Sequence, residues 1–281
     1  MIIDIHTHTF PDQIAAATVN KLGDAAHLEP CTDASRDGLV SSMEKAGIDL
    51  SVILPVATKP SQVEKINTRA AQTNELYRGK LFSLGGIHPA YENWYEELAR
   101  VKELGLKGIK IHPVYQGADI DSEPFMNILK RCAELGLSVI THAGDDIGFP
   151  GVVHCSPEMC LRVKEEIPDL KLILAHMGGW QNWDRVQELL AGTDVMIDTA
   201  FSIHPIHTRG DYWKDGEPQL LSKEEFIRII RLFGAERVIF GTDCPWADQK
   251  EYRELMSTLG LSEDEYRKIM GENAAKLLGI G

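Results

Sequence analysis

Short runs of apolar residues recur along the chain, and each is followed by a segment with the spacing of an amphipathic helix. The runs are nearly continuous in apolarity and rich in β-branched residues, which is typical of parallel strands buried on both faces. Eight such strand–helix units in 281 residues predict an α/β fold, a (β/α)8 barrel. The runs occupy residues 1–8, 50–57, 81–88, 106–113, 137–144, 170–177, 194–200 and 237–243.

The segments between the runs carry helix-boundary signals. A glutamate follows three residues after Ser61, Ser222 and Ser262, which is the spacing of a capping box, and Ser156 precedes a proline. An open, doubly wound sheet is the alternative fold, but it would want a glycine-rich phosphate-binding turn after an early strand, and the sequence has none. We expect one domain over residues 1–281, because no linker or shift in composition divides the chain.

Polar residues cluster at the ends of the runs. In the first run, side-chain alternation puts Asp4, His6 and His8 on one face, while Ile3 and Ile5 share the other. The later runs end on further polar residues, which are His88, Lys110, His112, His142, His176, Asp198 and Asp243. Because the carboxyl ends of all barrel strands meet at one rim, we expect these side chains to converge there.

Imidazoles and carboxylates that meet at one opening are typical ligands of a first-row divalent metal. Neutral imidazole nitrogen and carboxylate oxygen suit Zn²⁺, and Mn²⁺, Fe²⁺ or Co²⁺ are less favoured on grounds of affinity. Zinc lowers the pKa of a bound water from about 15.7 towards about 7, so that hydroxide forms at neutral pH. The sequence therefore predicts a metal-activated water.

Five local sequences, in order along the chain, carry a resemblance to a known family: IDIHTHTF, ITHAG, LILAHMGG, IFGTDCPW and GENAAKLLGI. The chain resembles the amidohydrolase superfamily of metal-dependent hydrolases, and within it the amidohydrolase-related branch (amidohydrolase family 2) that includes aminocarboxymuconate semialdehyde decarboxylase. The resemblance implies that His6, His8, His142 and Asp243 bind the metal. It also implies that Asp243 shuttles a proton, and that His176 acts as an acid or base or binds a second metal.

The fourth run departs from part of this pattern. Binuclear members of the superfamily use a carbamylated lysine on strand four to bridge two metals, and Lys110 lies on that strand. We expect Lys110 to bind a substrate carboxylate instead, with one zinc per chain, although two metals and a carbamylated Lys110 stay open. We expect His88 and His112 to contact substrate at the rim. Arg209, in the long loop 201–222, is a further candidate to bind a carboxylate.

We expect a metal-dependent hydrolase that attacks a small-molecule amide or lactone with the activated water. The alternative is a lyase that decarboxylates an unsaturated or aromatic carboxylic acid at the same ion. The decarboxylases of the family tend to be longer chains, which favours hydrolysis. A TatD-like nuclease is a third hypothesis, suggested by GIHPAYENW around His88, but the fourth run lacks the glutamate ligand of those proteins. A non-enzymatic metal-binding barrel is disfavoured, because the proton-handling pair Asp243 and His176 is present.

The composition of the chain limits which binding partners and which cellular compartment can be expected for it. The chain has 42 acidic and 29 basic residues, for a formal net charge of −13, and no basic run, which argues against a nucleic-acid partner. No run reaches the roughly 18 apolar residues of a membrane span, and we expect no signal peptide, because the sequence starts with strand-like residues. Five cysteines without a Cys-x-x-Cys motif are typical of a reducing cytoplasm. We expect a cytoplasmic protein with a small-molecule substrate, and a homo-oligomer stays open.

Overall fold

The computed structural model describes residues 1–210, 213 and 219–280. Within them, each of the eight predicted runs contains a strand. The third run holds two short strands separated by Leu84, which together count as the third strand of a barrel. The strands are β1 (Ile3–Thr7), β2 (Leu50–Ile53), β3 (Leu81–Ser83), β4 (Gly85–Gly86), β5 (Gly108–Ile111), β6 (Ser138–Thr141), β7 (Leu172–Leu174), β8 (Met196–Asp198) and β9 (Val238–Ile239).

Hydrogen bonds close these strands into a ring. The pairing order is β1-β2-β3 in one sheet and β4-β5-β6-β7-β8-β9 in the other, and every pair is parallel. Leu84 N–H donates to Ile53 O over 3.0 Å, which joins the two sheets at the third strand. The last strand meets the first where Ile5 N–H donates to Phe240 O over 2.9 Å. The predicted (β/α)8 barrel is confirmed.

Helices connect successive strands. They are α1 (Ala15–Ala26), α2 (Arg36–Ala46), α3 (Val63–Leu76), α4 (Trp94–Glu103), α5 (Pro113–Gln116), α6 (Glu123–Leu135), α7 (Pro157–Glu166), α8 (Trp183–Leu189), α9 (Lys223–Phe233), α10 (Gln249–Ser257), α11 (Glu263–Arg267) and α12 (Asn273–Leu278). Short 3-10 turns span Pro60–Gln62 and Ala235–Arg237, and a π turn spans Lys268–Glu272. In the described part of the chain, no helix is both long enough and apolar enough to cross a membrane.

Apolar side chains fill the inside of the barrel below its carboxyl rim. This inner core is formed by Ile3, Ile5, Leu50, Val52, Leu54, Leu84, Ile140, Ile173 and Ile239. Ala274 and Leu278 of α12 belong to the same cluster, so α12 plugs the end of the barrel where the strands begin. Alternate strand residues such as Ile109, Val139 and Leu172 belong to the larger core shared with the helices. Polar side chains are therefore left to the opposite, carboxyl end.

An extra residue in β1 interrupts the regular alternation of its side chains. Asp4 pairs with Ser51, and Thr7 pairs with Ile53. Three steps along β1 therefore oppose two steps along β2, which is a β-bulge. A bulge turns the residues after it to the other face of the strand, so the alternation assumed from the sequence does not hold across it.

The prediction that Asp4 and His6 share a face is consequently wrong. Ile5 packs in the inner core, whereas the Asp4 carboxylate accepts hydrogen bonds from Thr242 Oγ1 over 2.6 Å and from Gln249 Nε2 of α10 over 2.7 Å. Burial raises the pKa of Asp4 to about 7, although these hydrogen bonds oppose the shift. After the bulge, His6 turns into the barrel, where its ring nitrogen meets a carboxylate of another strand.

Most of the predicted helix boundaries are confirmed. Ser222 and Ser262 form complete capping boxes, and Ser156 caps the helix that follows it. The Ser61 prediction is wrong, because a 3-10 turn precedes α3 and its first residues are capped differently. The Gln62 side chain accepts the backbone N–H groups of the two residues that precede the turn, over 2.9 and 3.1 Å. A proline next to Ser61 sets the start of that turn.

We predict that Ser222→Ala lowers the free energy of unfolding by about 1 kcal/mol, because it removes the side-chain acceptor for the N–H of Glu225 at the start of α9. Ser61→Ala is the matched control, since Ser61 caps nothing, and its effect should stay within about 0.5 kcal/mol. Urea denaturation followed by circular dichroism measures both. Equal losses in the two variants would contradict the assignment of the caps.

Candidate active site

Five polar side chains converge at the carboxyl ends of the strands. His6 and His8 lie at the end of β1, and His142, His176 and Asp243 follow β6, β7 and β9. One ligand atom from each of His6, His176 and Asp243 lies within 4.8 Å of the others, and all three residues are buried. His8 Nε2 is 3.1 Å from Asp243 Oδ1, and His142 Nδ1 is 3.0 Å from His176 Nε2. The residues predicted to form the metal site and its acid–base pair are thus neighbours in space.

Each of the four imidazoles is anchored through its outward nitrogen. That nitrogen lies within hydrogen-bonding distance of an oxygen acceptor, and only a protonated nitrogen can donate to it. The pairs are His6 Nδ1 with Asp198 Oδ2 (2.8 Å), His8 Nδ1 with Leu54 O (2.9 Å), His142 Nε2 with Asp145 O (3.0 Å) and His176 Nδ1 with Ala200 O (3.0 Å). The second nitrogen of each ring therefore carries a lone pair, which faces the cluster.

This donor set fits a divalent cation. Four lone pairs and a carboxylate would repel one another at these separations without a positive charge between them. Around a tetrahedral ion with bonds of about 2.0–2.1 Å, neighbouring ligand atoms lie roughly 3.4 Å apart. His6 Nε2 lies 3.2 Å from His8 Nε2 and 3.4 Å from Asp243 Oδ1. Burial lowers the pKa of His6 and of His142 well below the usual value, which keeps both rings neutral and able to bind a metal.

The backbone is strained where two of these residues lie. His176, Met177 and Asp243 adopt positive φ values of 61°, 55° and 72°, in the left-handed region that favours glycine. Hydrogen bonds hold the strained turns in place, since Met177 N–H donates to Asp198 O over 2.7 Å and Asp243 N–H donates to His6 O over 2.8 Å. Strain of this kind persists where the surrounding structure fixes a side chain for a task.

Asp198 is the functional residue to which the sequence assigned no role. Its Oδ2 accepts the Nδ1–H of His6, and its Oδ1 accepts the backbone N–H groups of His176 over 2.9 Å and Ala200 over 3.1 Å. The carbonyl of Ala200 in turn accepts the Nδ1–H of His176. One buried carboxylate therefore orients two histidines of the cluster. Its position at the end of the seventh run was the only signal in the sequence.

A second group of polar side chains adjoins the cluster. His112 Nε2 lies 3.4 Å and His142 Nε2 lies 3.7 Å from Asp146 Oδ2, and all three residues are buried. The ring of His112 stacks between Tyr115 and His142, with centroid distances of 4.0 and 4.2 Å. Because His142 already donates its Nε2–H to the carbonyl of Asp145, we interpret Asp146 as the carboxylate partner of His112.

Lys110 lies on β5 inside the barrel, with 1% of its surface exposed. Within residues 1–210, 213 and 219–280, its ammonium makes no hydrogen bond or salt bridge. Burial lowers the pKa of Lys110 to about 8, against the opposing effect of Asp198 and Asp243. On the neighbouring third strand, His88 accepts the N–H of Ala90 at Nδ1 over 3.1 Å, so its Nε2 carries the proton. This side of the rim thus presents N–H donors.

The structure does not bring Arg209 to the cluster. Its guanidinium bonds Glu29 Oε2 over 2.8 Å and Asn20 Oδ1 over 3.0 Å, and it forms an ion pair with Asp24. These partners lie on α1 and in the segment that follows it, so Arg209 ties the loop after β8 to α1. We therefore leave it out of the substrate site proposed below.

A family model described as Amidohydrolase matches residues 3–280 of this chain. Among curated proteins, the chain is similar to the 2-amino-3-carboxymuconate-6-semialdehyde decarboxylase of Dictyostelium discoideum. The two are 25% identical over 278 residues, which cover 87% of this chain and 76% of the relative. The match therefore extends over most of both proteins.

Solved structures share the fold. An uncharacterized TIM-barrel protein of Bordetella bronchiseptica superposes with a TM-score of 0.79 at 21% identity, over 99% of this chain and 98% of that one. A 5-carboxyvanillate decarboxylase of Novosphingobium aromaticivorans, complexed with manganese and 4-hydroxy-3-methoxy-5-nitrobenzoic acid, superposes with a TM-score of 0.70 at 16% identity, over 100% and 96% of the two chains. At these identities the likeness shows the fold alone.

These comparisons correct one prediction and leave another open. Hydrolysis of an amide or lactone, the reaction expected from the sequence, is wrong, because the curated relative that matches over most of both chains is a decarboxylase. The same ligand set serves both reactions, so the ligands alone could not separate them. The preference for zinc stays a prediction, since the structurally similar 5-carboxyvanillate decarboxylase was solved with manganese.

We predict that Asp198→Asn weakens divalent-metal binding by about 10–100-fold, the usual effect of losing the partner of a ligating histidine. An amide offers one oxygen where Asp198 uses two, so its NH₂ group must face either His6 Nδ1 or two backbone N–H groups. Titration of Zn²⁺ and Mn²⁺ against a competing chelator measures the change.

The control for this variant is Asp119→Asn, which alters an aspartate–histidine pair outside the cluster, with Asp119 Oδ1 2.6 Å from His154 Nδ1. Its metal affinity should equal that of the wild type. A folded Asp198→Asn protein with unchanged metal affinity would contradict the role assigned to Asp198.

Proposed function

This chain belongs to the amidohydrolase family, and we propose that it is a metal-dependent decarboxylase of an unsaturated or aromatic carboxylic acid. The observation that carries the proposal is the side chain of Lys110, which lies buried beside the ligand cluster and makes no hydrogen bond or salt bridge within the described residues. A substrate carboxylate would pair directly with this charge, which among the described residues has only the longer-range attraction of Asp198 and Asp243. A neutral amide or lactone would add no such pairing. The decarboxylase from Dictyostelium discoideum supports the same choice of reaction.

In this proposal, His6, His8, His142 and Asp243 hold one divalent cation, with manganese and zinc as the candidates. Three imidazole nitrogens, on rings whose tautomers are fixed by hydrogen bonds, and one carboxylate oxygen suit either ion. When bound, the cation supplies Lewis-acid chemistry, by polarising a substrate oxygen. The partners of the outward ring nitrogens keep the histidines neutral and aimed at the site.

The side chains around the cluster divide the remaining tasks. Lys110 and His112 bind the carboxylate, and His88 contacts the substrate at the rim. When the carbon–carbon bond breaks, carbon dioxide leaves without the electron pair, and the carbon that retains the pair must gain a proton. In this proposal Asp243 shuttles that proton: its carboxylate takes the proton from a water molecule of the solvent and passes it to the carbon. His176 assists as the neighbouring acid or base. The strained turns at Asp243 and His176 hold both groups at fixed positions.

We predict release of carbon dioxide from members of a panel of hydroxybenzoates and unsaturated carboxylic acids, assayed with the protein loaded with Mn²⁺ or Zn²⁺. Chelation should abolish the reaction, and adding back the metal should restore it. Lys110→Met should reduce kcat/KM by at least about 10-fold, as expected when a buried charged hydrogen-bond partner is removed. Lys65→Met, at an exposed position on α3, is the matched control. No release from any acid with either metal would rule out the proposal.

We also predict that Asp243→Asn and His8→Ala fail in different ways. Asp243→Asn keeps an oxygen ligand but cannot deliver a proton, so it should retain appreciable metal while turnover falls by about 10²–10⁴-fold. His8→Ala removes a nitrogen ligand and should purify with little metal. Elemental analysis and steady-state assays on the same preparations separate the two effects. Full metal and full activity in His8→Ala would place the site elsewhere.

A further inference from the structure

The two sides of the barrel mouth differ in polarity. Lys110 and His88, on the fourth and third strands, present N–H donors. The seventh barrel strand, β8, lies opposite the third in a ring of eight, and the loop that follows it carries Phe201. A substrate that spans the mouth therefore meets N–H donors at one end and the aromatic side chain of Phe201 at the other.

That second surface contains a small cavity of about 50 Å³. Its apolar lining is Leu28, Ile147, Phe201, Ile206, Trp213 and Leu220, and a histidine and a threonine complete the wall. The backbone around it is fixed, since Leu28 pairs with Thr208 in an antiparallel bridge and Trp213 Nε1 donates to His27 O over 3.0 Å. The cavity, called the Phe201 cavity below, is therefore built from segments that are hydrogen-bonded to one another.

Phe201 lines this cavity and also lies near the ligand cluster. The centroid of its ring lies 6.5 Å from that of His176 and 6.2 Å from that of Trp180, and 5% of the residue is exposed. Its φ of 48° lies in the left-handed region, which is unusual for an aromatic residue. The turn is secured on one side, because Ser202 N–H donates to the hydroxyl of Tyr252 over 3.0 Å. This strained turn sets the aromatic ring beside a proposed catalytic group.

We propose that the Phe201 cavity binds a small apolar substituent of the substrate, at the end away from the carboxylate held by Lys110. This inference rests on the proposed decarboxylase function and narrows its substrate class. A volume of about 10–15 Å³ admits one water molecule, so 50 Å³ admits roughly three to five atoms of that size, which is enough room for a methyl or methoxy group. A charged substituent would lose its hydration against six apolar side chains, with only His204 and Thr208 as polar neighbours in the wall.

The test compares 2-hydroxybenzoate with its 3-, 4- and 5-methyl derivatives on metal-loaded protein. Calorimetry measures binding, and carbon dioxide release measures turnover. A methyl group seated in an apolar pocket changes kcat/KM by about 10-fold or more, so one isomer should exceed the parent acid by that factor in turnover and should also bind more tightly. Ile206→Phe fills the cavity and should erase this preference.

Ile227→Phe is the matched control, because Ile227 is a half-buried isoleucine of α9 that does not line the cavity. It should retain the preference. Leu220→Phe is a second filling variant, for use if Ile206→Phe does not fold. A preference that survives both filling variants, or no preference among the isomers in the wild type, would overturn the proposal, as would failure of every isomer to bind.

The two readouts distinguish this inference from the function on which it rests. Preferential binding of one methyl isomer without release of carbon dioxide would support the cavity and count against the decarboxylase. Release of carbon dioxide without any preference among the isomers would support the decarboxylase and remove the cavity from the substrate site.

Discussion

The carboxylate of Asp198 is the contact on which the candidate site depends. It receives one hydrogen bond from the ring of His6 and two from the backbone at His176 and Ala200. In this way Asp198 sets the tautomer of His6 on β1 and supports the strained turn at His176 after β7, although neither residue is its neighbour in sequence. A buried carboxylate of this kind is stabilised by the hydrogen bonds of all three donors. The orientation of the two histidines and the stability of Asp198 therefore depend on each other.

The sequence predicted the barrel because parallel strands buried on both faces leave a continuous apolar signature, and all eight runs carry it. The polar residues at the ends of those runs predicted that these histidines and aspartates would lie together, because the carboxyl ends of barrel strands meet at one rim. The direction of Asp4 could not be predicted in this way. It depends on a bulge whose position is set by pairing with β2, and pairing is a property of two strands rather than of one.

The reaction was harder to infer than the site. Hydrolysis and decarboxylation draw on the same imidazoles and the same aspartate, and in the proposed function Lys110 is the residue that distinguishes the two reactions. Its burial and its lack of a partner among the described residues are visible only in three dimensions. Arg209 illustrates the opposite case, because an arginine in a long loop is a plausible anion-binding residue until its acidic partners on and after α1 are seen.

The hydrogen bond that closes the barrel joins Ile5 to Phe240 and so spans almost the whole chain. Closure of such a long loop carries a high entropic cost, and folds dominated by distant contacts form slowly. His6 and His8 come from the first strand and Asp243 from the last, so the ligands meet only when this step is complete. A cation that binds the assembled cluster therefore stabilises the closed barrel relative to every more open state. The fraction of chains that reach the closed barrel then depends on the concentration of the metal.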